Sequence, residues 1–543
     1  ADERVVMERG AVEGEVFHRS AVAELAPVPM RPALGSHLAT LVRKELIRPD
    51  KPQLAGEDGF RFRHLLIRDA AYDALPKAVR AELHQRFAAW LEERDAGLVE
   101  RDEILGYHLE QARRYRAELG ADDSALSALS GRAADHLAGA GRGALDRGDF
   151  NAGRGLLRRA TAVLPPGDER RLALAPDLCD ALWEAGDTTA IMSVLAEARQ
   201  TTDAVLRAIV AILETEPQLG ATGRSTPDER REKHDRARSV LEAAGHDEGL
   251  SLYWWSVGHD AWYRCRAEET AAACELALVH AERAGSKRLA RDAAHWMAGS
   301  CVFGPTPVVE AIERVEGIRA RSERSILSEA HSSIFLGMLA AMQGDAVRGL
   351  ALVRDAGETF RGAGLVVTAA GHSMGEAWAA FWAGDLAAAE RALRSGLEVL
   401  ERLDDRGYHP TIALQLAWLM YHESRYDEVE TLCATGRAYT TTEDLVNFVY
   451  LDMIEGCLCA RRGQHAEAEE RVRRALALAE TTDFYWCRGT ARLFLSEALA
   501  LAGRMGEASE EAAVGLAHYD AKGDVSSAAL ARERLDELGV AYA

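Results

Sequence analysis

The sequence predicts an all-α protein, a stack of helical hairpins forming a superhelix behind a small N-terminal domain that carries a β-hairpin. Three observations lead there. Alanine is abundant while aromatic residues make up only 6% of the chain and proline only 14 positions, a mixture that favours helix over strand. A chain of 543 residues exceeds what one core usually serves, so several domains or a repeat array are expected. A short turn also recurs at Gly344-Asp345, Gly384-Asp385, Ser424, Gly463 and Gly503, in steps of 40, 40, 39 and 40.

The N-terminal region differs from the rest. "ADERVVMERGAVEGEVF" and "RPALGSHLATLVRKELI" carry apolar residues at helical spacing. "ELIRP" and "GFRFRH" read as short strands around the loop "DKPQLAGED", which holds Pro52 and Gly56. Helices followed by a hairpin describe a winged-helix-like domain over 1–75. Residues 76–130 read as a helical linker, with Pro76 at a helix start. Residues 131–543 read as the repeat array.

Counting back by 40 from Gly344 reaches Gly304 and Arg264, and an earlier pair of turns stands at Gly148-Asp149 and Gly186-Asp187. Seven residues before the five turns stand Gly337, Ala377, Ala417, Gly456 and Ser496. Twelve further on stand Gly349, Ala389, Val429, Ala468 and Ala508, and seven more bring Ala356, Gly396, Gly436, Ala475 and Gly515. Only Val429 is not Gly, Ala or Ser. Gly141, Gly153 and Ala160 follow the same rule. Small residues at these points let antiparallel helices approach closely while neighbouring units bury a continuous core. This is the spacing of a tetratricopeptide repeat, with a period of 39–40 in place of the usual value of about 34. Residues 186–330 follow the register less closely.

The formal charge of -21 repels phosphate backbones and anionic lipid, which argues against nucleic-acid and membrane partners. The eight cysteines include no C-x-x-C and stand at no zinc spacing with histidine, so they read as buried thiols of a cytoplasmic protein, and no metal ligands are assigned. No signal peptide or apolar run long enough to span a bilayer occurs.

One motif points elsewhere. "GHSMG" at Gly371–Gly375 matches the nucleophile elbow G-x-S-x-G, with Ser373 in the place of a serine-hydrolase nucleophile. The period decides against it: Val366, Ala370, Met374, Ala377 and Phe381 share a helical face, and the small positions Ala377, Ala389 and Gly396 belong to the same unit. The two glycines cost helix propensity and make this a soft helix. Two other fragments fade as well. His422-Glu423 begins like H-E-x-x-H, but Tyr426 takes the second ligand's place, and "GAGRG" at Gly139–Gly143 follows no strand. No catalytic residue is assigned.

Two stretches resemble a family. "FRFRHLLIRDAAYDALPKAVRAELHQRFAAWLEE" is similar to the segment that joins the ATPase module to the helical repeats in bacterial STAND/AAA-type signalling proteins. The residues carrying the resemblance are Phe62-Arg63-His64, Ile67-Arg68-Asp69, Tyr72, Arg80 and His84. "AADHLAGAGRGALDRGDFNAGRGLLRRATAVLP" looks like the first repeat after it. The group resembled most is the one in which a class III adenylate/guanylate cyclase precedes an AAA ATPase and a repeat arm. The resemblance implies that cyclase and ATPase, with ATP/ADP and Mg, lie upstream, since no G-x-x-x-x-G-K-[ST] occurs here and this chain holds no cofactor of its own.

The same resemblance implies a nucleotide-state contact for His64 and Arg63, a sensor function for the arm, and the upstream ATPase as a partner in cis. The alternative is the arm of a large LuxR-type ATP-dependent regulator, although "SSAALARERLDELGVAYA" at the end lacks a basic recognition helix. Trp378 and Trp418 follow the small positions Ala377 and Ala417. That place on the first helix of a tetratricopeptide unit faces the concave groove, where the two rings would anchor a protein or small-molecule ligand.

Overall fold

The computed structural model describes residues 2–52, 54, 56–94, 98, 100–216, 227–321, 325–441 and 444–542. Gln53 and Ala55, in the loop expected between the two N-terminal strands, lie outside the described residues, as do residues 217–226 in the stretch of weaker register. The chain forms two compact units, Ala1–Leu145 with Asn151–Leu178 and Asp146–Phe150 with Cys179–Ala543.

The first unit begins with helix α1 (Asp2–Glu13), strand β1 (Val16–His18), helix α2 (Arg19–Leu25), a 3-10 turn (Val28–Ala33), helix α3 (Leu34–Arg43), strands β2 (Ile47–Asp50) and β3 (Gly59–Phe62), and helix α4 (Leu65–Asp73). The expected hairpin pairs Arg48 with Arg61 and Pro49 with Phe60. Pro49 is tolerated because β2 is an edge strand.

A third strand corrects the sequence reading, which ran a helical pattern through Phe17. The pattern ends at Glu13, and β1 pairs antiparallel with the other edge of β3, setting Phe17 opposite Phe60. Three residues are too few to show a strand period, and what recruits them is the open edge of β3 together with burial of Phe17 against Phe62. Val6, Val22, Leu34, Leu38, Leu41 and Ile47 complete this core. Helices α5 (Lys77–Glu92) and α6 (Arg101–Glu118) then pack as a pair.

The second unit is a tetratricopeptide-like array of helical hairpins. Hairpin 1 is Asp247–Tyr263 with Ala267–Ala284, and hairpin 2 is Lys287–Phe303 with Val308–Arg321. Hairpin 3 is Ile326–Met342 with Ala346–Gly362, and hairpin 4 is Val366–Gly371 and Ser373–Trp382 with Leu386–Arg402. Hairpin 5 is Tyr408–His422 with Tyr426–Tyr439, and hairpin 6 is Leu445–Arg461 with His465–Glu480. Hairpin 7 is Tyr485–Leu501 with Met505–Lys522, and the helix Val525–Leu538 follows it.

The recurring turn has a simple cause. Gly344, Gly384, Ser424, Gly463 and Gly503 all have left-handed φ, and the next N–H donates to a carbonyl five residues back. Asp345 donates to Ala340 at 3.0 Å, Asp385 to Ala380 at 3.0 Å, and Arg504 to Leu499 at 2.9 Å. That bond satisfies a carbonyl the helix end leaves open, and glycine reaches the conformation without a Cβ penalty. The aspartate then caps the next helix: Asp385 accepts from the N–H of Ala388 at 2.9 Å.

Two of the expected turns shift. The left-handed residue in hairpin 1 is Cys265, one place after Arg264. Gly304 is extended, with φ -79 and ψ -177, because Pro305 and Pro307 force a longer connection before the next helix. A second series joins successive hairpins at Gly245, Gly285, Gly364, Asp404 and Gly523, all left-handed.

The small positions are close approaches. A Cβ on Gly337 would stand 2.7 Å from the carbonyl of Gly349, and one on Gly349 would stand 2.5 Å from that of Gly337. Ser496 donates its hydroxyl to the Ala508 carbonyl across the same gap, at 2.7 Å.

Candidate functional site: a lumen closed by the seventh hairpin

The array winds back on itself, and four contacts hold the closure. The Asp483 carboxylate accepts the N–H groups of Ala267 and Glu268 at 2.6 and 2.9 Å, at the start of the second helix of hairpin 1. An anion is well placed at that positive helix end. The Lys522 ammonium, buried, donates to the carbonyls of Cys301, Gly304 and Thr306 at 2.7, 2.8 and 2.6 Å. Ser526 donates to the Ala341 carbonyl at 2.8 Å, and Trp382 donates its indole N–H to Ser527 at 2.9 Å. Hairpin 7 and the helix after it therefore touch hairpins 1 to 4.

The first helices of the hairpins face inward around a cavity of about 150 Å³. Its wall is aromatic: Trp262, Trp296, Phe335, Trp378, Tyr450 and Trp486 are among the lining residues. Trp262 meets Trp296 edge-on with ring centroids 4.9 Å apart, and Trp378 meets Trp486 at 5.5 Å. Aromatic pairs of this kind hold a rigid wall at little entropic cost.

A few polar groups interrupt it. Asp444 is buried, accepts from the Asn447 side-chain amide at 2.6 Å, and is pushed up to about 7 by burial. His259 lies 2.9 Å from the Glu216 carboxylate. Two polar atoms of lining residues, Nε2 of His372 and Oε1 of Gln415, are buried without a hydrogen-bond partner. Buried polar atoms are nearly always paired, so atoms left open beside a cavity are where a ligand would make its bonds.

Helix softness at "GHSMG" takes a definite form. The helix stops at Gly371 and resumes at Ser373, leaving His372 between the two segments. The side chain of Tyr408 lies against the Cα of Gly371, where a Cβ would stand 2.8 Å from its ring. Residues 366–382 contain no strand, so the elbow that a serine nucleophile needs is missing. The Ser373 hydroxyl is buried against Gly396 in the next helix and has no hydrogen-bond partner.

His372 keeps right-handed backbone angles, φ -73 and ψ -3, and lies close to two other histidines. Nδ1 of His295, in hairpin 2, lies 2.8 Å from Nδ1 of His331, in hairpin 3. One ring nitrogen from each of His295, His331 and His372 lies within 4.8 Å of the others. Burial pushes all three down, His372 to about 4, so the rings are neutral at neutral pH. The sequence reading assigned no ligand here. The available signal was spacing: the three positions fall 36 and 41 residues apart, close to one repeat.

The other residues singled out in the sequence separate. Trp378 lines the cavity and is 7% exposed, while Trp418, 8% exposed, packs against Phe381 and His422, with its indole N–H unpaired. The two rings are in contact, centroids 5.1 Å apart. In the first unit, His64 and Arg63 are exposed at the start of α4, and Arg63 reaches Glu45 at 3.8 Å.

The motif residues Tyr72, Arg80 and His84 meet instead in the joint between α4, α5 and α6. The Tyr72 hydroxyl lies 2.7 Å from Nε2 of His84 and 3.2 Å from the Tyr115 hydroxyl, and Arg80 lies over the Tyr72 ring.

No family model matches the chain, and no curated protein matches it. The chain has a distant likeness to several solved structures. One is a signal transduction ATPase with numerous domains (STAND) protein with a tetratricopeptide repeat sensor from Pyrococcus horikoshii. It is 11% identical, with TM-score 0.35, and the match covers 99% of this chain and 65% of that one. A Rap protein complexed with competence and sporulation factor is 10% identical, with TM-score 0.38, over 75% of this chain and 99% of that one. Human IFIT1 with m7Gppp-AAAA is 13% identical, with TM-score 0.38, over 81% and 95%. The chain thus spans just under two thirds of the length of the STAND protein. Among the described residues, no helix is long and apolar enough to cross a membrane.

Proposed function

We propose that this chain is the sensor arm of a STAND-type signalling ATPase, and that its array responds to a small molecule held in the lumen. The observation that carries the reading is the aromatic wall of the cavity, interrupted by Gln415, whose buried Oε1 has no hydrogen-bond partner. A cavity of this size excludes a peptide helix and suits a compact ligand of roughly the size of one aromatic ring with polar substituents. The arm works by binding and carries no chemistry of its own. Because hairpin 7 closes the lumen through Asp483 and Lys522, a ligand that favours the closed winding shifts the array between two states.

The finer reading rests on the resemblance of Phe60–Glu93 to the joint of STAND proteins. In it, exposed Arg63 and His64 meet the upstream nucleotide-binding domain, and the regulated output is a class III nucleotide cyclase. A transcriptional output of the LuxR type is the alternative, and the reading frame around the chain decides between them. The sensor reading is tested by incubating the chain with a low-molecular-weight metabolite extract and recording native mass spectra and melting temperature. Wild type is expected to retain a small molecule and melt higher, and Trp378→Ala to lose both effects. Equal behaviour of the two proteins would overturn it.

A further inference from the structure

We infer that His295, His331 and His372 form a binding site for one borderline transition-metal ion of the Zn²⁺ class, set in the lumen wall with a coordination position open to the cavity. Three histidines from three successive hairpins converge here, although they are distant in sequence. Nδ1 of His295 and Nδ1 of His331 share a hydrogen bond at 2.8 Å, whose proton a metal ion would displace, and one nitrogen from each of the three rings falls within 4.8 Å of the others. Tetrahedral Zn²⁺ with Zn–N bonds of about 2.0–2.1 Å asks for nitrogens about 3.3 Å apart, so modest ring rotations complete the set.

The third nitrogen is free to take part, since Nε2 of His372 is buried and makes no hydrogen bond. Phe335 packs on His295, and Phe360 packs on both His331 and His372, with centroids at 4.9, 4.7 and 5.2 Å. These rings fix the imidazoles and keep water from their backs.

The opposing charge is Arg291, whose field reaches His331, and its guanidinium is answered by the Asp292 carboxylate at 3.9 Å. His295 and His372 are among the residues lining the cavity, and the fourth coordination position is assigned to their side of the cluster. Three protein ligands and one open position make a centre that accepts an oxygen or nitrogen atom from a molecule entering the lumen. The tertiary structure supplies this site whether or not the sensor reading holds.

The test uses the full chain stripped of metal by a chelator and titrated with Co²⁺, whose visible absorption reports its coordination. Wild type is expected to bind one Co²⁺ per chain with a tetrahedral spectrum, to be displaced by Zn²⁺, and to melt higher with either ion. His295→Gln, His331→Gln and His372→Gln, which roughly keep side-chain volume, are each expected to weaken binding at least ten-fold with unchanged far-UV circular dichroism. A wild-type chain that shows no such spectrum overturns the inference, and so do variants that bind as wild type does. Should a variant fail to fold, the wild-type spectrum and stoichiometry alone still decide.

Discussion

Two pairs of histidines in this molecule look alike and do different work. In the first unit, Nδ1 of His84 lies 2.8 Å from Nδ1 of His108. In the second, Nδ1 of His295 lies 2.8 Å from Nδ1 of His331. Burial depresses all four rings. The difference is what the remaining nitrogens find. His84 spends Nε2 on the Tyr72 hydroxyl, which Tyr115 and Arg80 hold in turn, and Phe87 stacks on His108 at 4.3 Å. That network is satisfied and joins three helices. The second pair gains a third histidine whose Nε2 has no partner and which faces a cavity. A satisfied cluster is a joint, and an unsatisfied one beside space is a site.

Truncation should separate the two most strongly. His84→Ala removes a fully buried ring and one of the two partners of the Tyr72 hydroxyl, with an expected loss of about 3 kcal/mol in denaturant unfolding. His372→Ala removes a ring with no hydrogen bond at Nε2 and should cost about 1–2 kcal/mol. Equal losses would erase the distinction.

Acid should destabilise both clusters. The folded rings titrate lower than the ordinary 6.5, His84 at about 3 and His372 at about 4, so the unfolded chain takes up protons first. Stability is therefore full above pH 6.5 and is lost as pH falls toward 4, by up to about 3 kcal/mol per ring. Asp444, raised to about 7, works the other way and loses its contribution as pH rises from about 4 to 7. Comparing unfolding curves of wild type and His372→Gln between pH 7 and 4 isolates the histidine, and the variant should show the shallower slope.

Gly371→Ala sharpens the contrast further, because Gly371 directly precedes a member of the second cluster. The new Cβ would press on the Tyr408 ring, with an expected cost of about 1–3 kcal/mol and weakened metal binding through a displaced His372. The smallest effect belongs to Ser373→Ala. Deleting a buried hydroxyl without a partner should change stability by less than about 0.5 kcal/mol. Wild-type Ser373 should resist a fluorophosphonate probe.

Much of the array was legible because its rules are local. A left-handed turn asks for glycine, an aspartate after it caps the next helix, and close helices ask for small residues, so Gly344-Asp345 and Gly337 with Gly349 announce themselves. The second turn series was missed because Asp404 and the capping residues beside it vary in type. Strand β1 was missed because three residues carry no period. The burial of Trp378 beside Trp486 had no sequence signal.

By itself, then, the sequence determined the hairpins, their turns and the faces on which they pack, since each depends on backbone conformation and side-chain size within a few residues. The tertiary structure alone decided that the superhelix closes, because curvature accumulates over many repeats until Asp483 meets Ala267 and Lys522 meets Cys301. It also decided that His295, His331 and His372 share one place. Closure narrows a groove into a cavity, and burial beside it gives the unpaired Nε2 of His372 and the neutral imidazoles their chemical meaning.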